Sequence, residues 1–95
     1  MSQALTVQQE LKQTLSKMEP QFAAALPEHI TPKRFVRVLM TAVSSQPKLC
    51  EANRTSLFSA CMSSAQDGLL PDGKEAAIVT FNTKGAGVVA QYMRS

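Results

Sequence analysis

A chain of 95 residues has room for one domain or part of one, since a single core usually takes about 100 to 150 residues. Its 44% hydrophobic and 18% charged residues exclude a disordered or collagen-like chain, and no apolar run reaches the ~18 residues a membrane-spanning helix needs. Ten Lys and Arg against seven Asp and Glu leave +3, an excess that permits contact with nucleic acid without requiring it.

The first element expected is an amphipathic helix over residues 6–18, where Val7, Leu11, Leu15 and Met18 recur at helical spacing. Pro20 restarts the chain, and residues 22–26 read as a short apolar helical turn closed by Pro27. Thr31-Pro32 opens the next helix, over residues 31–45, because the Thr hydroxyl caps free amides and Pro at the first position gives up only an unpartnered N–H. Its apolar arc carries Phe35, Val36, Val38, Leu39, Met40, Ala42 and Val43, which leaves Lys33, Arg34 and Arg37 with Thr41 and Ser44 on the opposite side.

Residues 46–53 read as a loop, and Asn53 or Thr55 caps a helix that Gly68 stops. That helix presents Leu57, Phe58, Cys61, Met62 and Ala65 on one side. Thr55, Ser56, Ser59 and Ser63 form a strip of small hydroxyls suited to close packing on another backbone or to solvent. The period then changes: residues 75–81 and 87–93 read as two strands joined by a Gly-containing loop over residues 82–86. The expected fold is therefore α+β, three or four helices followed by a β-hairpin. It divides into an N-terminal helix (1–18), a helical part (19–67), and a turn with its hairpin (68–95). A two-stranded hairpin leaves open edges, so the expectation is an incomplete domain that further chain would extend.

Charge is unevenly spread. Residues 1–29 carry Lys12 and Lys17 against Glu10, Glu19 and Glu28; residues 30–54 carry Lys33, Arg34, Arg37, Lys48 and Arg54 against Glu51 alone. With Lys74 and Lys84 bracketing the first strand, these cations are the candidate contacts to a phosphate backbone. By composition alone, an ordinary solvated face is the more frequent explanation of such a cluster. Aromatic stacking groups are sparse, namely Tyr92 and four Phe, most of which look like core.

Other chemistries fare worse. Gly68-Leu69-Leu70-Pro71-Asp72-Gly73-Lys74 fits the first seven positions of a phosphate-binding P-loop. The eighth position, where Ser or Thr would hold magnesium, is Glu75, and the element order is reversed. A helix-to-strand turn explains the same residues better. The single His29 lies between two prolines with no ligand-like neighbours, and Cys50 and Cys61 form neither a C-x-x-C motif nor a disulfide scaffold. No catalytic group, metal site or cofactor is expected. The thiols and the lack of a signal-like opening read as a cytoplasmic chain.

Residues 22–35 (FAAALPEHITPKRF), then Val36-Arg37 and Pro47, then residues 64–77 (SAQDGLLPDGKEAA), resemble the N-terminal part of the RecT family of phage recombination proteins (RecT/Redβ-like). The resemblance runs over about residues 18–93, and its most specific element is Gly68, Leu69, Pro71, Asp72, Gly73, Glu75 and Ala76 leading into the hairpin. It implies a non-enzymatic, ATP-independent protein that binds single-stranded DNA and anneals complementary strands. It also implies self-association into rings or filaments and work beside a phage exonuclease. Family members continue past the hairpin, so the resemblance implies a truncated N-terminal segment. The alternative is a structural or oligomerisation segment that binds no DNA of its own.

Overall fold

The computed structural model describes residues 6–85 and 87–94. In chain order they form α1 (Val7–Lys17), α2 (Glu19–Ala25), α3 (Pro32–Ser45), a 3-10 turn (Pro47–Glu51), α4 (Arg54–Asp67), β1 (Ala76–Thr83) and β2 (Gly87–Arg94). The architecture is α+β, four α-helices followed by a two-stranded antiparallel hairpin.

Local chemistry sets each helix end. Thr6 Oγ1 accepts from Gln9 N at 3.1 Å while Gln9 Oε1 accepts from Thr6 N at 3.0 Å, a reciprocal cap for α1. Thr31 caps α3 with Pro32 at its first position, and Asn53 Oδ1 accepts from Ser56 N to cap α4. Gly68 ends α4 in the left-handed region at φ 69°, with Gly68 N donating to Ala65 O and Leu69 N to Ser64 O. A Cβ at Gly68 would stand 2.8 Å from Pro27 Cγ, so close packing as well as backbone conformation demands glycine there.

The core gathers one face of every helix: Leu11 and Leu15 from α1, Phe22 from α2, Phe35, Leu39 and Val43 from α3, Leu57 and Cys61 from α4. Phe22 and Phe35 meet at its centre with ring centroids 5.1 Å apart and planes tilted 59°, a geometry worth about 0.5 to 1.5 kcal/mol beyond the area buried. Lys12 Nζ donates to Ser44 Oγ at 2.6 Å and Gln8 Nε2 to Val43 O at 3.2 Å, fastening α1 across α3. Val7, expected in the α1 stripe, is 51% exposed because it stands in the first turn, beyond the layer that covers Leu11.

Three boundaries differ from the sequence expectations. The apolar turn expected at 22–26 is the second half of α2, which starts at Glu19 with Pro20 in its first turn. The segment expected as loop contains the Pro47–Glu51 turn, which buries Leu49. At the tip β1 runs longer than expected, with Asn82 opposite Val88 and Thr83 opposite Gly87, while β2 begins at Gly87 as expected. Of the five residues expected in the loop, Asn82 and Thr83 are thus in β1, and Ala86 lies outside the described residues.

The hairpin lies against α4. Strand alternation sends Ala76, Ile78, Ala90 and Tyr92 toward the helices and Ala77, Val79, Phe81, Val89, Gln91 and Met93 away from them. Asn53 N donates to Val88 O at 2.8 Å and Ala90 N donates to Ser56 Oγ at 3.0 Å, so the start of α4 covers the outer edge of β2. Ser56 thus realises the close-packing option of the hydroxyl strip, while Thr55 and Ser59 meet solvent. Along the far edge of β1, the outward backbone groups of Ile78, Thr80 and Asn82 receive no hydrogen bond among the described residues.

Candidate nucleic-acid interface

The cations singled out by sequence occupy four places. Lys33, Arg34 and Arg37 are exposed on α3, a helix with no carboxylate among its residues, and among the described residues their side chains enter no hydrogen bond or ion pair. Helical spacing puts Arg37 one turn beyond Lys33, so the three charges share one side of α3. Lys48 is exposed on the 3-10 turn, Lys74 at the base of the hairpin and Lys84 at its tip.

Arg54 differs from the rest. It is half-buried, and its Nη1 donates to Cys50 O at 3.0 Å and Ala52 O at 3.2 Å, closing the end of the 3-10 turn. Its guanidinium is committed to the chain's own carbonyls before any ligand arrives. Arg94, which sequence reasoning left out, stands with its Nε 3.8 Å from Asp67 Oδ2, on the same oxygen that accepts from Tyr92 OH at 2.9 Å. Burial and this Asp67 contact push the Tyr92 phenol up to about 12.

Two of the four places meet. Arg37, Val38, Thr41, Ala42, Ser45 and Gln46 of α3 face Pro71, Asp72, Gly73 and Ala77 across a cleft of about 270 Å³. Arg37 therefore borders the turn whose next residue is Lys74. Lys84 is separated from it by the eight residues of β1, about 26 Å at the usual rise per strand residue.

The turn between α4 and β1 is closed on itself. Gly68 N and Leu69 N bond back to α4, Leu70 N donates to Glu75 Oε1 at 3.0 Å, and Asp72 N donates to Leu70 O. Gly73 N donates to Ala76 O, and Lys74 N and Glu75 N both donate to Asp72 Oδ1, at 2.8 and 3.1 Å. Every amide of residues 68–75 that has a proton is thereby used, Pro71 having none. A P-loop must turn these same amides on a phosphate, so the pattern match is a turn and carries no nucleotide site. The bond from Lys74 N, followed by that from Glu75 N, holds the Asp72 carboxyl below its usual range despite some desolvation.

The thiols and the histidine stand apart from the cations among the described residues. Cys61 is 1% exposed and burial pushes its thiol up to about 12, which keeps it protonated and inert. His29 is exposed in the segment between α2 and α3. Among the described residues, no three of His, Cys, Asp and Glu converge as a metal ion would require, and no helix is long and apolar enough to cross a membrane.

The sequence reading placed most phenylalanines in the core. Phe22 and Phe35 are fully buried and Phe58 is half-buried, but Phe81 is 44% exposed on the outward side of the hairpin, with Met93 at 47% on the same side. Strand parity puts Phe81 and Met93 on one side of the hairpin, since both hold odd-numbered positions, but does not say that this side is the outer one.

A family model, the RecT family, matches residues 33–95. The chain is also 39% identical over 54 residues to Protein RecT of Escherichia coli strain K12, an alignment covering 57% of this chain and 20% of that protein. The matched part thus spans about a fifth of the relative's length. No solved structure matches.

Proposed function

The chain belongs to the RecT family, and from that premise we propose that it binds single-stranded DNA and serves ATP-independent strand annealing in phage-type recombination. The observation that carries the proposal is the side of α3 that bears Lys33, Arg34 and Arg37, exposed, unpaired among the described residues and on a helix without a carboxylate. Desolvating three like charges is costly, and a polyanion relieves their mutual repulsion while releasing its own counterions. Lys74, beyond the shared cleft, extends the path toward the hairpin, and Lys84 marks its far end. Lys48 contributes from the 3-10 turn, while Arg54 orders the segment between them.

Annealing needs no bond made or broken in the protein. It requires that the backbone charge of one strand be neutralised and its bases left open to a second strand. Exposed cations on stable helices accomplish the first part and require no cofactor. In the cell such a protein acts in the cytoplasm, assembles into rings or filaments, and follows an exonuclease that exposes the strand.

The test is fluorescence anisotropy of a labelled strand of ~30 nucleotides, longer than the site of a typical single domain, titrated at salt from about 50 to about 200 mM. Replacing Lys33, Arg34 and Arg37 together by Ala should weaken binding and reduce the salt slope by up to ~0.7 per lost contact. An unchanged slope would remove α3 from the interface.

One feature favours a second reading, in which this segment serves assembly and holds no DNA. Among the described residues, the far edge of β1 presents unpaired backbone groups that another strand can complete. A mass that rises with protein concentration, together with no binding to the labelled strand, would select that reading.

A further inference from the structure

We propose that the outward face of the hairpin is a platform for nucleobases, with Phe81 as the residue on which a base of the single strand stacks. The inference rests on the single-strand binding proposed above and assigns it a second surface, distinct from the cations of α3. The face is built from Val79 and Phe81 of β1 opposite Gln91 and Val89 of β2, with Met93 toward the base, where its partner Ala77 borders the cleft shared with α3. Phe81 and Met93 are its exposed large groups among the described residues.

Charge decides what covers this face. From Ala76 to Arg94 the hairpin contains no Asp or Glu, and it carries Lys84 three residues beyond Phe81. Asp67 meets Tyr92 and Arg94 from the helix side of the sheet, and Glu75 and Asp72 sit below its base, where they accept hydrogen bonds from the turn. An apolar surface with a flat aromatic ring, a neighbouring ammonium and no carboxylate complements a ligand that is flat and apolar on its faces and anionic along its backbone. Single-stranded nucleic acid has that chemistry. A second copy of this chain would bring its own excess of positive charge to the same place.

The annealing reaction selects between this face and the cleft beside Arg37. A base drawn into the cleft of about 270 Å³, whose lining includes Val38, Ala42, Pro71 and Ala77 beside Thr41, Ser45, Gln46 and Asp72, would be enclosed between α3 and the turn, away from an incoming strand. Stacking on an open sheet face engages only the π-surface and leaves the Watson–Crick edge free for the incoming strand. Stacking is also indifferent to sequence, as pairing of arbitrary complements demands.

The experiment compares the unaltered chain with Phe81→Leu, which keeps apolar bulk opposite Val89 but removes the ring. Both are titrated against a labelled oligothymidylate and against an abasic strand of equal length. Circular-dichroism melts verify that Phe81→Leu keeps its fold, and Phe81→Tyr, which retains a ring, serves as the rescue. On the base-bearing strand Phe81→Leu should raise Kd at least about fivefold, within the roughly 5- to 150-fold that losing one stacked base costs. The salt slope should stay as it was, because no phosphate contact is lost, and on the abasic strand the two proteins should bind alike.

Equal Kd values on oligothymidylate, with binding by the unaltered chain intact, would overturn the stacking role alone. An equal loss on both strands would overturn it too, since the ring would then act without bases. Loss of self-association in Phe81→Leu with unchanged DNA binding would reassign the face to contact between copies. Absence of any DNA binding by the unaltered chain would overturn this inference together with the function it rests on.

Discussion

Replacing Gly68 by Ala should cost more than any other glycine substitution in the turn, and the structure separates the reasons. At φ 69° an L-residue with a Cβ pays about 1 to 2 kcal/mol for the left-handed conformation. The new Cβ would also stand 2.8 Å from Pro27 Cγ and 3.4 Å from Pro27 Cδ, closer than the ~3.5 to 4.0 Å at which carbon atoms attract. A change of ring pucker is the one internal movement Pro27 has, and Cδ is crowded as well, so the segment between α2 and α3 must also give, at a cost of about 1 to 3 kcal/mol. The sum of about 2 to 5 kcal/mol is a large share of the ~5 to 15 kcal/mol that holds a typical domain together. It should lower Tm by at least about 8 °C. Gly73→Ala is the control: its φ is 87° with nothing within 4 Å of the added carbon, so it should show the conformational cost alone. Urea denaturation of both variants, and of Gly68→Ala combined with Pro27→Ala, checks the reasoning. Equal destabilisation by Gly68→Ala and Gly73→Ala would refute the contact with Pro27, as would failure of Pro27→Ala to recover part of the loss.

Two further outcomes follow from the groups around this turn and from the core. The Asp72 carboxyl is held below its ordinary 3.8 by amides of the folded state, so its contribution is fully present above that value and is lost as pH falls through the depressed folded value. Asp72→Asn should therefore destabilise the chain by about 0.5 to 1 kcal/mol at neutral pH, a small figure because solvent screens the carboxylate. In chemical denaturation at stepped pH the gap to the unaltered chain should close in acid. A gap constant with pH would deny the charge any part. For the thiols, a chromogenic thiol reagent at neutral pH should modify half-buried Cys50 in the folded chain and leave Cys61, 1% exposed with its thiol pushed up to about 12, untouched until denaturant is added. Equal reactivity of the two in the folded state would contradict the packing of α4.

How much of this was legible in the sequence depended on the range of the interaction involved. The caps at Thr31-Pro32, Asn53 and Gly68 were readable because each is satisfied within a few residues, and the structure places them at those helix ends. The Pro47–Glu51 turn was hidden because it is held by Leu49, which is buried against α1 and α3, and by Arg54 reaching back from the next helix. The tip of β1 stops short in the sequence expectation because Asn82 is a poor strand former alone, and only the register against β2 recruits it and Thr83. The candidate cations were visible as a charge run, but no periodicity announced that Arg54 is tied to two carbonyls or that Arg37 and the turn at Pro71 share a cleft.

Phe81 illustrates the limit most clearly. Both parities of the hairpin carry apolar residues, Ile78 and Ala90 on one and Val79, Phe81 and Val89 on the other, so alternation predicts a strand without saying which face is inside. Contact with the helices decides. Ser56 Oγ accepts from Ala90 N at 3.0 Å, and Ala76, Ile78 and Ala90 are buried against the helical layer with Tyr92 packed beside them. With that parity inward, the other parity and its Phe81 ring turn outward. The same hydroxyl strip that admits the sheet to α4 thereby exposes an aromatic surface on an element without a single carboxylate. The packing that completes the fold and the surface offered to a single strand are two consequences of one choice of face.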